Sequence, residues 1–332
     1  MLIMIVFVII GLLLYGYSFL RYRYIWSRGR VPIVVYYVFQ ALLLGTFFSY
    51  LIFCPYIAND NVLWGMQLLI DMFLTVMLVT PVFSLIRGAI RMIGKRRKWN
   101  NRVYRFFNHP TKVSWIVLGV TLMFGGGIFL QSKYPRLYEN TVTIDKEAAT
   151  DSFTIITISD LQIGQGITQY EIGKLFDRFE QYHPDMVVFM GNLYSRRAGA
   201  AMREYTNGQI GELNSLVPIY LIEGPNETEE TEEHMEDMKK VGVRVLQDDM
   251  ILLSEGIQLA GLRDRKSEER DEVSYTCSLL SKDMPAIIFS YEDLTEEEKQ
   301  MADYDVLLHA LPCVGGFNMP KQIQVTHLVM KK

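Results

Sequence analysis

The 332-residue chain is half apolar and has a formal charge of −4, but neither figure describes it evenly. Residues 1–132 hold 13 Lys and Arg against two Asp, and residues 133–332 hold 20 Lys and Arg against 35 Asp and Glu. The acidic second part excludes nucleic-acid binding through a basic face. The three cysteines, Cys54, Cys277 and Cys313, have no CxxC spacing, so neither a zinc site nor a disulfide framework is expected.

The first part reads as a transmembrane domain. A hydrocarbon core of about 30 Å needs about 20 apolar residues in helix, and such runs occur at about 1–20, 32–54, 63–86 and 113–131. A cleaved signal peptide fits the first run poorly, because no basic stretch precedes it and no small-residue cleavage site follows. The short loops 21–31 and 87–112 hold the Lys and Arg, while 55–62 has only Asp60. The basic-loop rule puts both basic loops in the cytoplasm. The expected protein is multi-pass in the plasma or inner membrane, with the bilayer as a partner and the C-terminal domain outside the cytoplasm. The loop 87–112 also has Trp99, Tyr104, Phe106 and Phe107. It reads either as a topology signal or as a surface for anionic headgroups. Asp71 within the third run reads either as a functional ionisable group or as a neutral or hydrogen-bonded side chain facing Gln67, Gln40 or a tyrosine. Gly125, Gly126 and Gly127 allow close helix approach or a kink.

Residues 133–150, with Pro135 and no clear periodicity, read as a polar stalk. From 151 to 332 the pattern alternates strands and helices, which argues for a layered α/β domain. Strands are expected at 153–158, 186–190, 219–222, 243–246, 251–254, 257–260, 286–290 and 306–308. Helices are expected at 172–182, 229–240 and 295–302. The helix at 172–182 would bury Ile172, Leu175, Phe176 and Phe179. Ligands gather at the carboxyl ends of strands in such folds, which here are Asp160, Asn192, 224–227, Tyr291 and 309–318.

Those strand ends carry ITISDLQIG (156–164), HPDMVVFMGNL (183–193), IYLIEGPNE (219–227), AIIFSYED (286–293) and DVLLHALPCVGGFNMP (305–320). In this order they resemble the calcineurin-like metallophosphoesterases, and in particular the membrane-anchored bacterial branch. The resemblance covers about 153–320. It implies a layered α/β sandwich and metal-assisted phosphoester hydrolysis, in which two divalent cations (Mn, Fe or Zn) lower the pKa of a bridging water.

Residue by residue, the resemblance implies that most metal ligands are replaced. Asp160 stands where the family has its first aspartate. Gln162 replaces a histidine, and Asn192 replaces the bridging aspartate. The Gly-Asn-His-Asp run becomes Gly224-Pro225-Asn226-Glu227, although a one-residue slip would restore Asn226 as a ligand. Tyr291, Pro312 and Val314 replace three histidines. Neutral side chains are poor substitutes for imidazole and carboxylate. The expectation is a vestigial site at Asp160, Gln162, Asn192, Asn226, Glu227 and Tyr291, with no resident metal pair and at most weak cation binding at Asp160, Asn192 and Asn226. The acidic run from Glu227 to Glu236 reads as a solvated helix. His309 reads as a cap on a buried strand, His183 as structural, and His234 and His327 as exposed. The expected function is a non-catalytic binding or scaffolding domain for a phosphorylated or lipid-derived ligand or a protein. The alternatives are a divergent hydrolase acting near the bilayer, or a working helix bundle centred on Asp71.

Overall fold

The computed structural model describes residues 33–53, 60–133, 136–164, 167–195, 198–230, 232–301, 303–310 and 322–331, with four helical positions (13, 16, 17 and 20) in the first apolar run. The chain divides into two units, with Ser132–Lys332 forming the body of the second.

In the first unit, three of the four apolar runs are helices: α1 (Ile33–Phe53), α2 (Asp60–Arg96) and α4 (Pro110–Lys133). Most of the run 1–20 and the loop 21–31 lie outside the described residues, so a four-helix bundle is not shown. Among the described residues one helix, Gly65–Arg96, is long and apolar enough to cross a membrane, and Gly119–Leu130 is a shorter apolar helix. Helix α2 runs ten residues past the expected end at 86, because the basic stretch to Arg96 consists mostly of good helix formers. A short helix absent from the sequence reading, α3 (Arg102–Asn108), follows, and Asn101 caps it by accepting from the Tyr104 N–H at 2.9 Å. Gln67 and Asp71 lie four residues apart on α2 and are both buried, as expected of neighbours on one helix face. Gly125 meets the Met72 backbone closely enough that a Cβ would lie 3.2 Å from its Cα. Gly125 thus makes the close helix approach, whereas a Cβ on Gly126 or Gly127 would meet nothing within 4 Å.

The second unit contains two sheets. The first has the order β1-β10-β2-β3-β4-β5 and the second β6-β7-β8-β9. The strands are β1 (Arg136–Ile144), β2 (Ser152–Ile158), β3 (Met186–Met190), β4 (Ile219–Ile222), β5 (Arg244–Leu246), β6 (Asp249–Leu252), β7 (Gln258–Gly261), β8 (Ala286–Ser290), β9 (Val306–His309) and β10 (Gln322–Met330). The helices are α5 (Gln169–Glu180), α6 (Ala200–Asn214), α7 (Pro225–Glu230), α8 (Glu232–Lys240), α9 (Val273–Ser278) and α10 (Glu296–Met301). Strands β2 to β5 are parallel, β10 is antiparallel to β2, and β1 is parallel to β10.

Strand alternation sorts the core into layers. Ile155, Val188, Ile222 and Leu328 of the first sheet pack with Leu259, Phe289 and Leu308 of the second. On the outer face of the first sheet, Ile156, Val187, Phe189 and Leu221 meet Ile172, Leu175, Phe176 and Phe179 of α5 and Met238 of α8. On the outer face of the second, Ala260 and Ile288 meet Val273 and Cys277 of α9. The result is a helix–sheet–sheet–helix sandwich. Helix α5 starts where Thr168 and Glu171 form a reciprocal capping box.

The stalk reading at 133–150 is corrected: residues 136–144 form an edge strand. Leu137 packs on the helix-side core, and Val142 and Ile144 pack between the sheets. The polar residues between them face outward on an edge strand and dilute the alternation. His327 is also corrected, since it lies half-buried in β10, where its Nδ1 is 3.2 Å from Thr154 Oγ1.

Candidate functional site

The carboxyl ends of β2, β3, β4 and β8 bring Asp160, Asn192, Asn226, Glu227 and Tyr291 together. Backbone bonds set the frame. The Gln162 N–H donates to the Asn192 carbonyl at 2.9 Å, and the Asp160 N–H donates to the Gly191 carbonyl at 3.2 Å. Asp160, Gln162 and Asn192 all have left-handed backbones, with φ of 54°, 45° and 53°. Asp and Asn tolerate this region, whereas Gln carries a steric cost.

Gly191 and Gly224 hold the β3 and β4 ends against each other. A Cβ on Gly191, whose φ is +72°, would lie 2.7 Å from Gly224 Cα and 2.8 Å from Tyr291 Cδ2. Only glycine permits that approach.

Within this frame three side chains form a closed triangle. Asn192 Nδ2 donates to Asp160 Oδ1 at 2.7 Å and to the Tyr291 hydroxyl at 2.7 Å, and that hydroxyl donates to the same Oδ1 at 3.0 Å. The Asn192 carboxamide orientation follows from its other end, where Oδ1 accepts from the Asn226 N–H at 2.9 Å. Asp160 and Asn192 are each 5% exposed, so these two corners are shielded from water, while Tyr291 is half-buried. Burial, and then the Asp160 carboxylate, push the Tyr291 hydroxyl well above the ordinary phenol range, and Glu227 and Asp264 act in the same direction. Tyr291 is therefore a proton-bearing donor at any physiological pH.

Glu227 is the residue whose role the sequence reading missed. It is buried rather than solvated with the acidic run that follows it. Its Oε2 accepts from the Asn192 N–H at 2.7 Å and the Gly224 N–H at 3.1 Å, and its Oε1 accepts from the Leu193 N–H at 2.8 Å. One carboxylate thus ties the β3 end to the β4 end. Burial pushes its pKa up to about 7, against the pull of those N–H bonds. A signal was present in the sequence: Gly-Pro-Asn-Glu reads as an N-cap, a proline at the first helical position and a glutamate at the third, which reaches back to the cap.

The other expected site residues sit apart from the triangle. Asn226 donates its Nδ2 to the Tyr194 carbonyl at 2.9 Å, so its amide nitrogen does not reach Asp160. Gln162 joins the frame through its backbone. His309 ends β9 with Nδ1 3.1 Å from the Ala310 carbonyl, consistent with a local contact at a strand end. His183, with φ of 44°, sits in the turn between α5 and β3. Cys277 is buried on α9, and burial pushes its thiol up to about 11. Pro312, Cys313, Val314, Gly315, Gly316 and Cys54 lie outside the described residues, as does the side chain of His234.

Among the described residues the donor set does not fit a pair of divalent cations. A cation needs lone pairs directed at it, but here the Asp160 Oδ1 lone pairs are engaged by an amide and a phenol, and Glu227 is engaged by three backbone N–H groups. Among the described residues no group of three or more His, Cys, Asp or Glu is placed to hold a metal. No hydrolytic step is therefore derived through a metal at this site.

No protein-family profile matches the chain. Over 236 residues it is 21% identical to the uncharacterized metallophosphoesterase Cj0846 of Campylobacter jejuni, an alignment covering 69% of this chain and 61% of that one. The chain thus spans less than two thirds of that relative's length. Among solved structures, TT1561 of Thermus thermophilus superposes with a TM-score of 0.40 at 14% identity, over 52% of this chain and 88% of that one. A Pseudomonas putida nuclease superposes with a TM-score of 0.25 at 13% identity, over 41% of this chain and 60% of that one. The sequence similarity and the paired mixed sheets make this a chain that resembles the metallophosphoesterase fold.

Proposed function

We propose that the chain is a membrane-tethered, non-catalytic member of the metallophosphoesterase-like proteins, whose α/β domain works as a binding or scaffolding module. The observation that carries the reading is the Asp160–Asn192–Tyr291 triangle. Uncharged donors, an amide and a phenol, both engage Asp160 Oδ1, and they tie the strand-end loops to one another through side chains alone. The partner of the module is a protein or a phosphorylated or lipid-derived ligand. Tethering is supported by the apolar helix Gly65–Arg96 and by the further apolar runs in the sequence. The arrangement proposed is multi-pass in the plasma or inner membrane, with the acidic domain outside the cytoplasm.

The test is metal content and turnover of the purified full chain. The expected result is substoichiometric Mn, Fe and Zn and no bis-p-nitrophenyl phosphate hydrolysis above the Asp160→Ala background. Near-stoichiometric metal with turnover abolished by Asp160→Ala would replace the proposal with a divergent hydrolase.

A further inference from the structure

We infer that the corner joining α2 to α4 is a preformed docking surface for the headgroups of anionic phospholipids. This rests on the membrane-tethered reading above.

Charge is the first observation. From Asp71 to Glu139 the chain has no acidic residue. Within the corner, eight exposed cations, among them Lys95, Arg96, Arg97, Lys98, Arg102 and Arg105, make no ion pair among the described residues. In the α/β domain, by contrast, Lys146, Arg263, Arg265, Arg270 and Lys299 all have carboxylate partners. A cluster of like charges without counter-ions repels itself. It is relieved by anions from outside the chain.

Order is the second observation. The corner is folded and held. Arg87, only 6% exposed, donates from Nε to the Phe107 carbonyl at 2.8 Å and so ties α3 back to α2. The Tyr104 ring covers Gly94, where a Cβ would collide with it. The Trp99 N–H donates to the Gly94 carbonyl at 2.8 Å, and the His109 N–H closes α3 on the Phe106 carbonyl at 3.1 Å. Trp99, Phe106 and Phe107 are half-buried beside the cations. Arg91 and Lys95 are four apart on α2, and Arg102 and Arg105 are three apart on α3, so each pair shares one helix face.

Position is the third. The cations begin where the apolar stretch of α2 ends and stop at Lys112, where the apolar stretch of α4 begins. In a bilayer those two ends lie at headgroup depth, where aromatic rings also partition. Basic residues at that depth attract anionic lipid, and the attraction is screened by salt. A diester phosphate held in a membrane surface fits this arrangement better than a free ion, because the aromatic rings add an interfacial contact that a free ion cannot use.

The experiment uses the full chain with Trp26, Trp64 and Trp115 replaced by Phe, so that Trp99 reports from the corner. It is reconstituted into phosphatidylcholine vesicles containing brominated phosphatidylglycerol or brominated phosphatidylcholine, and Trp99 quenching is compared. The expected result is a preference for the anionic lipid on the order of tenfold at about 0.05 M salt, most of it lost at about 0.5 M. The variant Lys95→Gln/Arg96→Gln/Arg97→Gln/Lys98→Gln should reduce the preference severalfold, and inorganic phosphate should not compete. Equal quenching by the two lipids, a preference insensitive to salt, or displacement by inorganic phosphate would overturn the inference. Alkaline carbonate extraction of the same vesicles separates the two readings. A chain that is washed off refutes tethering itself, whereas a chain that stays without lipid preference refutes only the docking surface.

Discussion

Replacing Asn192 by Asp tests the hydrogen-bonded triangle most directly. The side chains have the same shape, and Asp accepts the left-handed backbone at this position as readily as Asn. The change places a second carboxylate 2.7 Å from Asp160 Oδ1. At an effective dielectric near 20 the repulsion between two such charges is about 6 kcal/mol. The folded protein avoids most of it by holding a proton between the two groups, as paired aspartates do. The folded-state pKa of the pair is then raised above the unfolded value of about 3.9. The sign follows: the variant has no penalty at pH values below that figure, and it loses stability as pH rises. At about 1.4 kcal/mol per pH unit, the loss relative to wild type is roughly 1.5 kcal/mol at pH 5 and roughly 4 kcal/mol at pH 7. Pulse proteolysis of the full chain in urea and chelator reads the unfolded fraction of the α/β domain at each pH. Manganese should recover much of the loss in the variant, where two adjacent carboxylates can hold it, and should leave wild type unchanged. A variant as stable as wild type at pH 7 in chelator would refute the geometry, and a large manganese stabilisation of wild type would refute the donor argument.

Tyr291→Phe removes one donor to Asp160 and one acceptor for Asn192. It should destabilise by about 1–2 kcal/mol in the same proteolysis assay without changing the α5 and β3 core. Glu227→Ala leaves the Asn192, Leu193 and Gly224 N–H groups without their acceptor, and a loss of about 3 kcal/mol or more is expected from urea midpoints. Because burial raises Glu227 to about 7 in the folded domain, its contribution is fully present below the unfolded value near 4.3 and declines as pH rises towards 7. The difference in urea midpoint between wild type and Glu227→Gln should therefore narrow over that interval and flatten above it. Gly191→Ala forces a Cβ into the Gly224 backbone at a positive φ, and an expected loss of about 2–3 kcal/mol would appear as a lower melting temperature.

The strand framework was legible because buried strands write themselves as unbroken apolar runs. The run at 186–190 is strand β3 to the residue, and the one at 286–290 is strand β8. Edge elements were not legible. Strand β1 is polar along its outer side, and its register with β10 depends on partners far along the chain. Helix α6 was missed because its sequence has little apolar periodicity; it buries only Thr206, Ile210 and Leu213. At the site, the strand-end positions of Asp160, Asn192 and Tyr291 were legible, but the direct bonds among them were not. Whether an amide turns its nitrogen or its oxygen to a carboxylate is decided by the Asn226 N–H from another loop. Glu227 stands both at a strand-end site position and at the head of an acidic run, and its burial is not legible because it depends on the tight approach of two glycines.

The pairing of β1 with β10 has a consequence for biosynthesis. Arg136 lies opposite Gln322 and Ile144 opposite Met330, so β1 has no strand partner until the distant β10 has been made. During that interval its backbone edge and the apolar side chains Val142 and Ile144 are open to other nascent chains, the condition under which non-local sheets aggregate. In the sheet β10 lies between β1 and β2, so β1 joins the other strands only once β10 has been made.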